Sequence, residues 1–300
     1  TKGYGEHRGI FDLDLEVQQG EVFGFLGPNG AGKSTTIRLL LDLIRPDRGR
    51  AWLLGLDSRR DSTIVHRQIG YLPGELALDS RLSGRQLLTY FANLRGGVDW
   101  REVAALAGRL DLDLDRRFGE YSRGNKQKVG LIQSFMHRPR LLILDEPTGG
   151  LDPLNQEAVF ELVREVRAEG RSVFFSSHIL SEVEALCERI AFIRAGRLIR
   201  VAPVHELTGI RTYEVEATCA VPLPADLLQR LPSVSGVQID GAVVRCSIQG
   251  DMSPLISVLT PYHVQRLLSH EPSLSEVFLG LYEGDQATDS ALNDATTSRA

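Results

Sequence analysis

The sequence predicts an α/β domain built on a parallel sheet with an inserted helical lobe, followed by a small α+β domain. Residues 21–46, EVFGFLGPNGAGKSTTIRLLLDLIRP, read as an apolar strand, a glycine-rich loop and an apolar-rich helix that ends before Pro46. Two further apolar runs, LLILDEP (141–147) and SVFFSSH (172–178), each precede a helical pattern, and strands alternating with helices imply a parallel sheet covered on its faces. Beyond about Glu206 the composition changes and the order becomes strand, helix, strand, strand, helix, strand, which is the split βαβ, ferredoxin-like order.

Taken along the chain, GRQLLTYFANL (84–94) and REVAALAGRL (101–110) make residues 76–138 a helical lobe between the two halves of the sheet. After LLILDEP, Asp152 serves as N-cap and Pro153 as first residue of a helix that stops at Gly170. The later elements are strand RTYEVEATC, helix PADLLQRL, strands GVQID and AVVRCSIQ, helix SPLISVL, strand HVQRLLS and a last helix, SLSEVFLGLY. That last helix carries Leu274, Val277, Phe278 and Leu281 on one face, and Ser273 with Glu276 forms a capping-box pair. The expected division is a nucleotide-binding domain at 1–206, an accessory domain at 207–284 and a small, polar, disordered tail at 285–300.

Composition sets limits on function. A formal net charge of −5 argues against general nucleic-acid binding, which needs a basic face to neutralise phosphates. Cys187, Cys219 and Cys246 are dispersed without CxxC spacing, so neither a disulfide framework nor a zinc site is expected, and the reduced cytosol is the default compartment. The longest apolar runs are far too short to cross a bilayer, and no signal peptide is visible, although the chain begins without a methionine.

The chemistry concentrates at strand ends. Gly27, Pro28, Asn29, Gly30, Ala31, Gly32, Lys33 and Ser34 spell G-x-x-x-x-G-K-S between a strand and a helix, the setting in which backbone N–H groups and a helix start cradle β- and γ-phosphates. Lys33 adds a compact charge, Ser34 is the expected Mg2+ ligand, and Thr35 is the expected donor to the α-phosphate. Asp145 is placed to hold Mg2+ through water, and Glu146 to polarise an attacking water. Adjacent acids before a proline also describe a solvated strand end, but the phosphate loop upstream favours catalysis. His178 closes another central strand, where sheets of this type place ligand chemistry, and is expected to hydrogen-bond the γ-phosphate.

The order phosphate loop, YSRGNKQK (121–128), LLILDEP, GLD (150–152) and SSH resembles the nucleotide-binding subunit of ABC transporters over roughly residues 1–205. The resemblance implies ATP with Mg2+, hydrolysis to ADP and phosphate, and a dimer that sandwiches two nucleotides. YSRGN stands where the family has LSGGQ: Ser122 and Gly124 are retained, while Arg123 and Asn125 replace glycine and glutamine. In the family this helix start faces the γ-phosphate held by the opposite subunit. Of the four lysines, Lys33, Lys126 and Lys128 fall in the two phosphate-facing motifs, and the last two read equally well as solvated helix charges. Tyr4 matches the aromatic that stacks on adenine, or is a loose N-terminal aromatic, and Gly150, Leu151 and Asp152 match the loop between the two ATP sites. The glutamine expected after YLP is replaced by Gly74, leaving Glu75 as either a substitute Mg2+ contact or a solvated acid.

PSLSEVFLGLY resembles an ending common in type-2 exporter ATPases, including drug- and antibiotic-resistance systems. The implied partners are a second copy or a paralogous ATPase and an integral membrane permease, with the chain peripheral on the cytoplasmic face of the inner membrane and no nucleic acid. Residues 76–94 are the expected permease-docking surface. The alternatives are a soluble ABC ATPase acting on a non-transport machine, and a subunit whose nucleotide site has decayed.

Overall fold

The computed structural model describes residues 1–5, 8–208 and 212–270. The expected tail at 285–300 and the last helix with Leu274, Val277, Phe278 and Leu281 lie outside the described residues. The chain divides into two units, Thr1–Pro203 and the residues from Val204 on.

Among the described residues, the elements of the first unit that frame the site are β1 (Val22–Leu26), α1 (Lys33–Leu40), β2 (Ile69–Leu72), α2 (Gly84–Leu94), α3 (Trp100–Arg109), α4 (Arg123–Phe135), β3 (Leu141–Asp145), α5 (Pro153–Ala168), β4 (Ser172–Ser177), α6 (Leu180–Leu186), β5 (Arg189–Arg194) and β6 (Arg197–Pro203). The six-stranded sheet runs in the order β6-β5-β1-β4-β3-β2. Its strands pair in parallel except for the edge strand β6, which is antiparallel to β5. β1, β3 and β4 are buried along their whole length, as expected of parallel strands covered on both faces. Under α1, Phe174 packs against Phe23 and Phe25 with ring centroids 6.0 and 5.2 Å apart, and Ile37, Leu41 and Ile143 complete that layer. Fully burying each such side chain stabilises by about 1.5–3 kcal/mol.

The order of the strands decides where the site forms. The chain leaves β1 for α1, and the neighbours β4 and β3 end on the same edge of the sheet, so the residues after all three strands meet there. α2 begins with a capping box in which Ser83 and Gln86 exchange side-chain and backbone hydrogen bonds. α4 starts at a Ser122 cap; α5 starts at Asp152 followed by Pro153, the pair that the sequence predicts.

The second unit holds β7 (Thr212–Cys219), α7 (Ala225–Gln229), β8 (Val234–Asp240), β9 (Val243–Gln249), α8 (Ser253–Leu259) and β10 (Val264–His270). These strands form an antiparallel sheet in the order β8-β9-β7-β10. Alternate residues of β7 and β9, Val215, Ala217, Val244, Cys246 and Ile248 among them, pack with Leu228, Leu255 and Leu259 into a separate core. All three cysteines are buried free thiols, and burial pushes the Cys246 thiol up to about 11, which keeps it protonated and inert.

Candidate nucleotide site

The loop after β1 has the shape that phosphate binding requires. Gly32 caps α1 at φ 113°, a conformation that L side chains rarely adopt, and a Cβ there would lie 2.4 Å from Ile10 Cδ1. No side chain caps α1 and no acid lies in its first turn, so its leading N–H groups and the positive end of its dipole are left for an anion. Pro28, Asn29 and Gly30 are exposed at the rim, Ala31 is buried beneath, and Ser34 is exposed with Thr35 half-buried on the first turn.

Lys33 is buried, and its Nζ donates to the carbonyls of Gly27 at 2.7 Å and Pro28 at 3.2 Å, with Glu146 Oε1 3.6 Å away. Burial pushes the Lys33 ammonium below its ordinary lysine value, opposed by the charges of Glu146 and Asp145.

Asp145 ends β3 fully buried, and one carboxylate oxygen accepts from Ser176 Oγ at 3.0 Å. Glu146 follows at φ 51°, a left-handed conformation that costs roughly 1–2 kcal/mol in a residue with a Cβ. Its backbone N–H donates to Ser176 O at 3.0 Å, and its Oε1 lies 3.1 Å from His178 Nδ1. Lys33, Glu146 and His178, far apart in sequence, therefore meet around one carboxylate oxygen. A histidine ring oriented by a carboxylate on one nitrogen has the other free for a ligand.

A buried acid that the sequence reading missed braces this pair. Glu182 on α6 is buried and accepts from Thr148 Oγ1 at 2.5 Å and Ser177 Oγ at 2.6 Å, joining the turn after Glu146 to the residue before His178. Its only sequence signal is a position four residues after His178, at the start of a helix.

The YSRGN segment is organised differently. Ser122 Oγ accepts from Asn125 N–H at 3.2 Å, which caps α4, and both Ser122 and Arg123 are exposed. Gly124 lies so close to the loop after β3 that a Cβ on it would sit 2.6 Å from Gly150 O. The Arg123 stem crosses Gly150, its Cγ 3.3 Å from where a Cβ on that residue would sit. The two lysines turn away from the helix start: Lys126 Nζ stands 5.5 Å from the Phe118 ring centroid, and Lys128 is buried with Nζ 3.4 Å from Asp111 O. Of the two readings of these lysines, the structure favours neither phosphate contact nor free solvation, but packing against Phe118 and Asp111.

The remaining candidates are scattered. Asp152 caps α5, and hydrogen bonds from the backbone and side chain of Asn155 hold its carboxyl below the usual range. Tyr4 is exposed, with Lys2 Nζ 5.7 Å from its ring centroid. A Cβ on Gly74 would sit 3.3 Å from Asp145 Oδ2, so the missing glutamine side chain would have started beside that acid. Glu75 is exposed and lines a groove of about 470 Å³ with Leu41, Tyr71, Leu76 and Phe91. Among the described residues no cluster of three or more His, Cys, Asp or Glu could hold a metal by itself.

Comparison with known proteins gives the same reading. The family described as ABC transporter matches residues 10–149. The daunorubicin resistance ATP-binding protein DrrA3 of Streptomyces coeruleorubidus is 35% identical, over 95% of this chain and 94% of that protein. The bacitracin transport ATP-binding protein BcrA of Bacillus licheniformis is 37% identical, over 69% of each. A solved ATP-binding subunit of an ABC transporter superposes with a TM-score of 0.65 at 30% identity, covering 69% of this chain and 89% of that one. With a relative 35% identical along nearly its whole length and a phosphate loop, DEP turn and SSH strand end gathered on one sheet edge, this chain belongs to the ABC transporter ATP-binding family.

Proposed function

We propose that the chain is the ATP-hydrolysing subunit of a multi-component exporter that expels a drug or other hydrophobic compound through a separate permease. The observation that carries the reading is the convergence of Lys33, Glu146 and His178, with Glu146 Oε1 3.6 Å from the lysine and 3.1 Å from the histidine. A decayed nucleotide site would have no reason to keep Glu146 in a strained conformation between those two partners.

The residues fit ATP with Mg2+: a loop with Gly32 at a φ that L side chains rarely adopt, an uncapped helix start, a buried ammonium and a buried carboxylate one residue before the base. Bound MgATP would supply the γ-phosphoryl group that water attacks, with ADP as the leaving group. Lys33, whose ammonium now donates to the Gly27 and Pro28 carbonyls, would turn to phosphate oxygens, Ser34 and, through water, Asp145 would hold the cation, and Thr35 would donate toward the α-phosphate. Glu146 accepts the proton of the attacking water at its carboxylate, a contribution of typically 10²–10⁴-fold. His178, oriented through Nδ1, presents Nε2 to the phosphate.

Ser122, Gly124 and the α4 start complete the site of a second copy or a paralogous ATPase, with Arg123 and Asn125 at its rim. The groove beside Glu75, lined by Leu76 and Phe91 from residues 76–94, receives a cytoplasmic helix of the permease. Among the described residues no helix is long and apolar enough to cross a membrane, so the reading requires a membrane partner that holds the chain at the cytoplasmic face. The second unit, a four-stranded sheet with two helices in split βαβ order, is an accessory ferredoxin-like domain. The relatives that confer daunorubicin resistance and transport bacitracin support an antibiotic-like substrate.

The test is a pull-down from detergent-solubilised host membranes with the Glu146→Gln protein and MgATP. Recovery of a polytopic membrane protein at matching stoichiometry is expected; recovery of ribosomes or soluble proteins alone would overturn the transport assignment.

A further inference from the structure

A buried amide links the start of α4 to the carboxylate it does not touch. Gln127 is 7% exposed, and its Nε2 donates to Glu146 O at 3.1 Å and Pro147 O at 3.2 Å. Glu146 O already accepts from Gly149 N–H at 3.2 Å, so the Gln127 bond is a second one to that oxygen and fixes its direction. Gln127 lies three residues after Gly124, on the same face of α4, and Gly124 rests against Gly150 O. One helix face therefore follows the loop from 146 to 150, with Gly124 at its far end and Gln127 under the residue held at φ 51°.

We propose that Gln127 is a positioning residue: it makes the orientation of Glu146 depend on where α4 sits. The inference rests on the reading given above, in which the α4 start engages nucleotide held by a second copy. Movement of α4 on closing would pass through the amide to the backbone of Glu146, so that the base is aimed when the opposite site is filled. Gln127 touches neither nucleotide nor water. It acts on the turn carrying Glu146, complementing Glu182, which holds the other side of that turn through Thr148.

Misplacing a reacting group by about 1 Å can cost on the order of 10²-fold in rate, so loss of the two donors should lower kcat by about 10–100-fold. Two variants test this. Gln127→Met keeps the length and volume without the donors, and Gln127→Glu keeps the shape while turning acceptors toward the two carbonyls. Steady-state ATPase is measured as kcat and KM, and ATP-driven dimerisation is measured by size-exclusion in the Glu146→Gln background. The expected result is a fall in kcat with KM and dimerisation within about twofold of the parent, larger for Gln127→Glu. Unchanged kcat in both variants would overturn the proposal. So would loss of dimerisation in step with kcat, which would make Gln127 a support for α4 only. A parent protein with no ATPase activity would overturn the functional reading and the proposal with it, and that outcome is seen before any Gln127 variant is assayed.

Discussion

Two helix starts face the proposed nucleotides, and they solve opposite problems. α1 has no side-chain cap and is preceded by a glycine at φ 113°, whereas α4 is capped by Ser122 through the Asn125 N–H. α1 also carries a buried lysine, while the lysines of α4 lie against Phe118 and the Asp111 carbonyl. The difference teaches that an anion site belonging to one chain can leave its donors unsatisfied for the ligand, but a surface offered to another molecule must be folded before that molecule arrives. In the proposed dimer the first start binds and the second is presented.

The contrast is broken most severely at Glu146, the base of the proposed reaction. Glu146→Gln keeps the shape and the contacts to Lys33 and His178 but removes the proton acceptor, and should lower the ATPase rate by about 10²–10⁴-fold in a phosphate-release assay. Next comes the α1 start: Lys33→Ala removes charge-assisted bonds of about 1.5–3 kcal/mol, so nucleotide affinity should fall roughly 10–100-fold in a fluorescent-nucleotide titration. Gly124→Ala acts on the α4 start, where the new Cβ would meet a backbone oxygen 2.6 Å away. Stability should drop by about 1–3 kcal/mol in urea unfolding, because the helix must lift from the Gly150 loop. The smallest effect sharpens the comparison: Ser122→Ala removes the cap that α1 lacks altogether, and should cost about 1 kcal/mol in the same unfolding experiment. If Ser122→Ala were as stable as the parent, the α4 start would be no more self-sufficient than that of α1.

The sequence made the α1 side legible because its chemistry is local. Gly27 to Thr35 are contiguous, and a strand before them with a helix after them is enough to aim their N–H groups. Asp145, Glu146 and His178 were found for a related reason: each ends an apolar run, and parallel strands align such ends. The α4 side was legible only as a helix start. Helical geometry sends residues 126, 127 and 128 in three directions, so a basic run read as one patch separates into a lysine over Phe118, a buried amide under Glu146 and a lysine on the Asp111 carbonyl. Glu182 was invisible because its partners, Thr148 and Ser177, come from two other elements. The antiparallel pair β5 and β6 escaped as well, since its strands carry arginines at their ends and the turn between them, Ala195 with Gly196, lies within a continuous run. For Gly74 the sequence showed which side chain was missing, and only the fold showed that it would have begun beside Asp145.

The bonds from Lys33 to the Gly27 and Pro28 carbonyls have a consequence for timing. The ammonium ties two carbonyls of the loop together from inside and so favours its curved form. In the proposed function a loop curved in advance leaves the pace of nucleotide capture to encounter, and differences between nucleotides to how long each one stays.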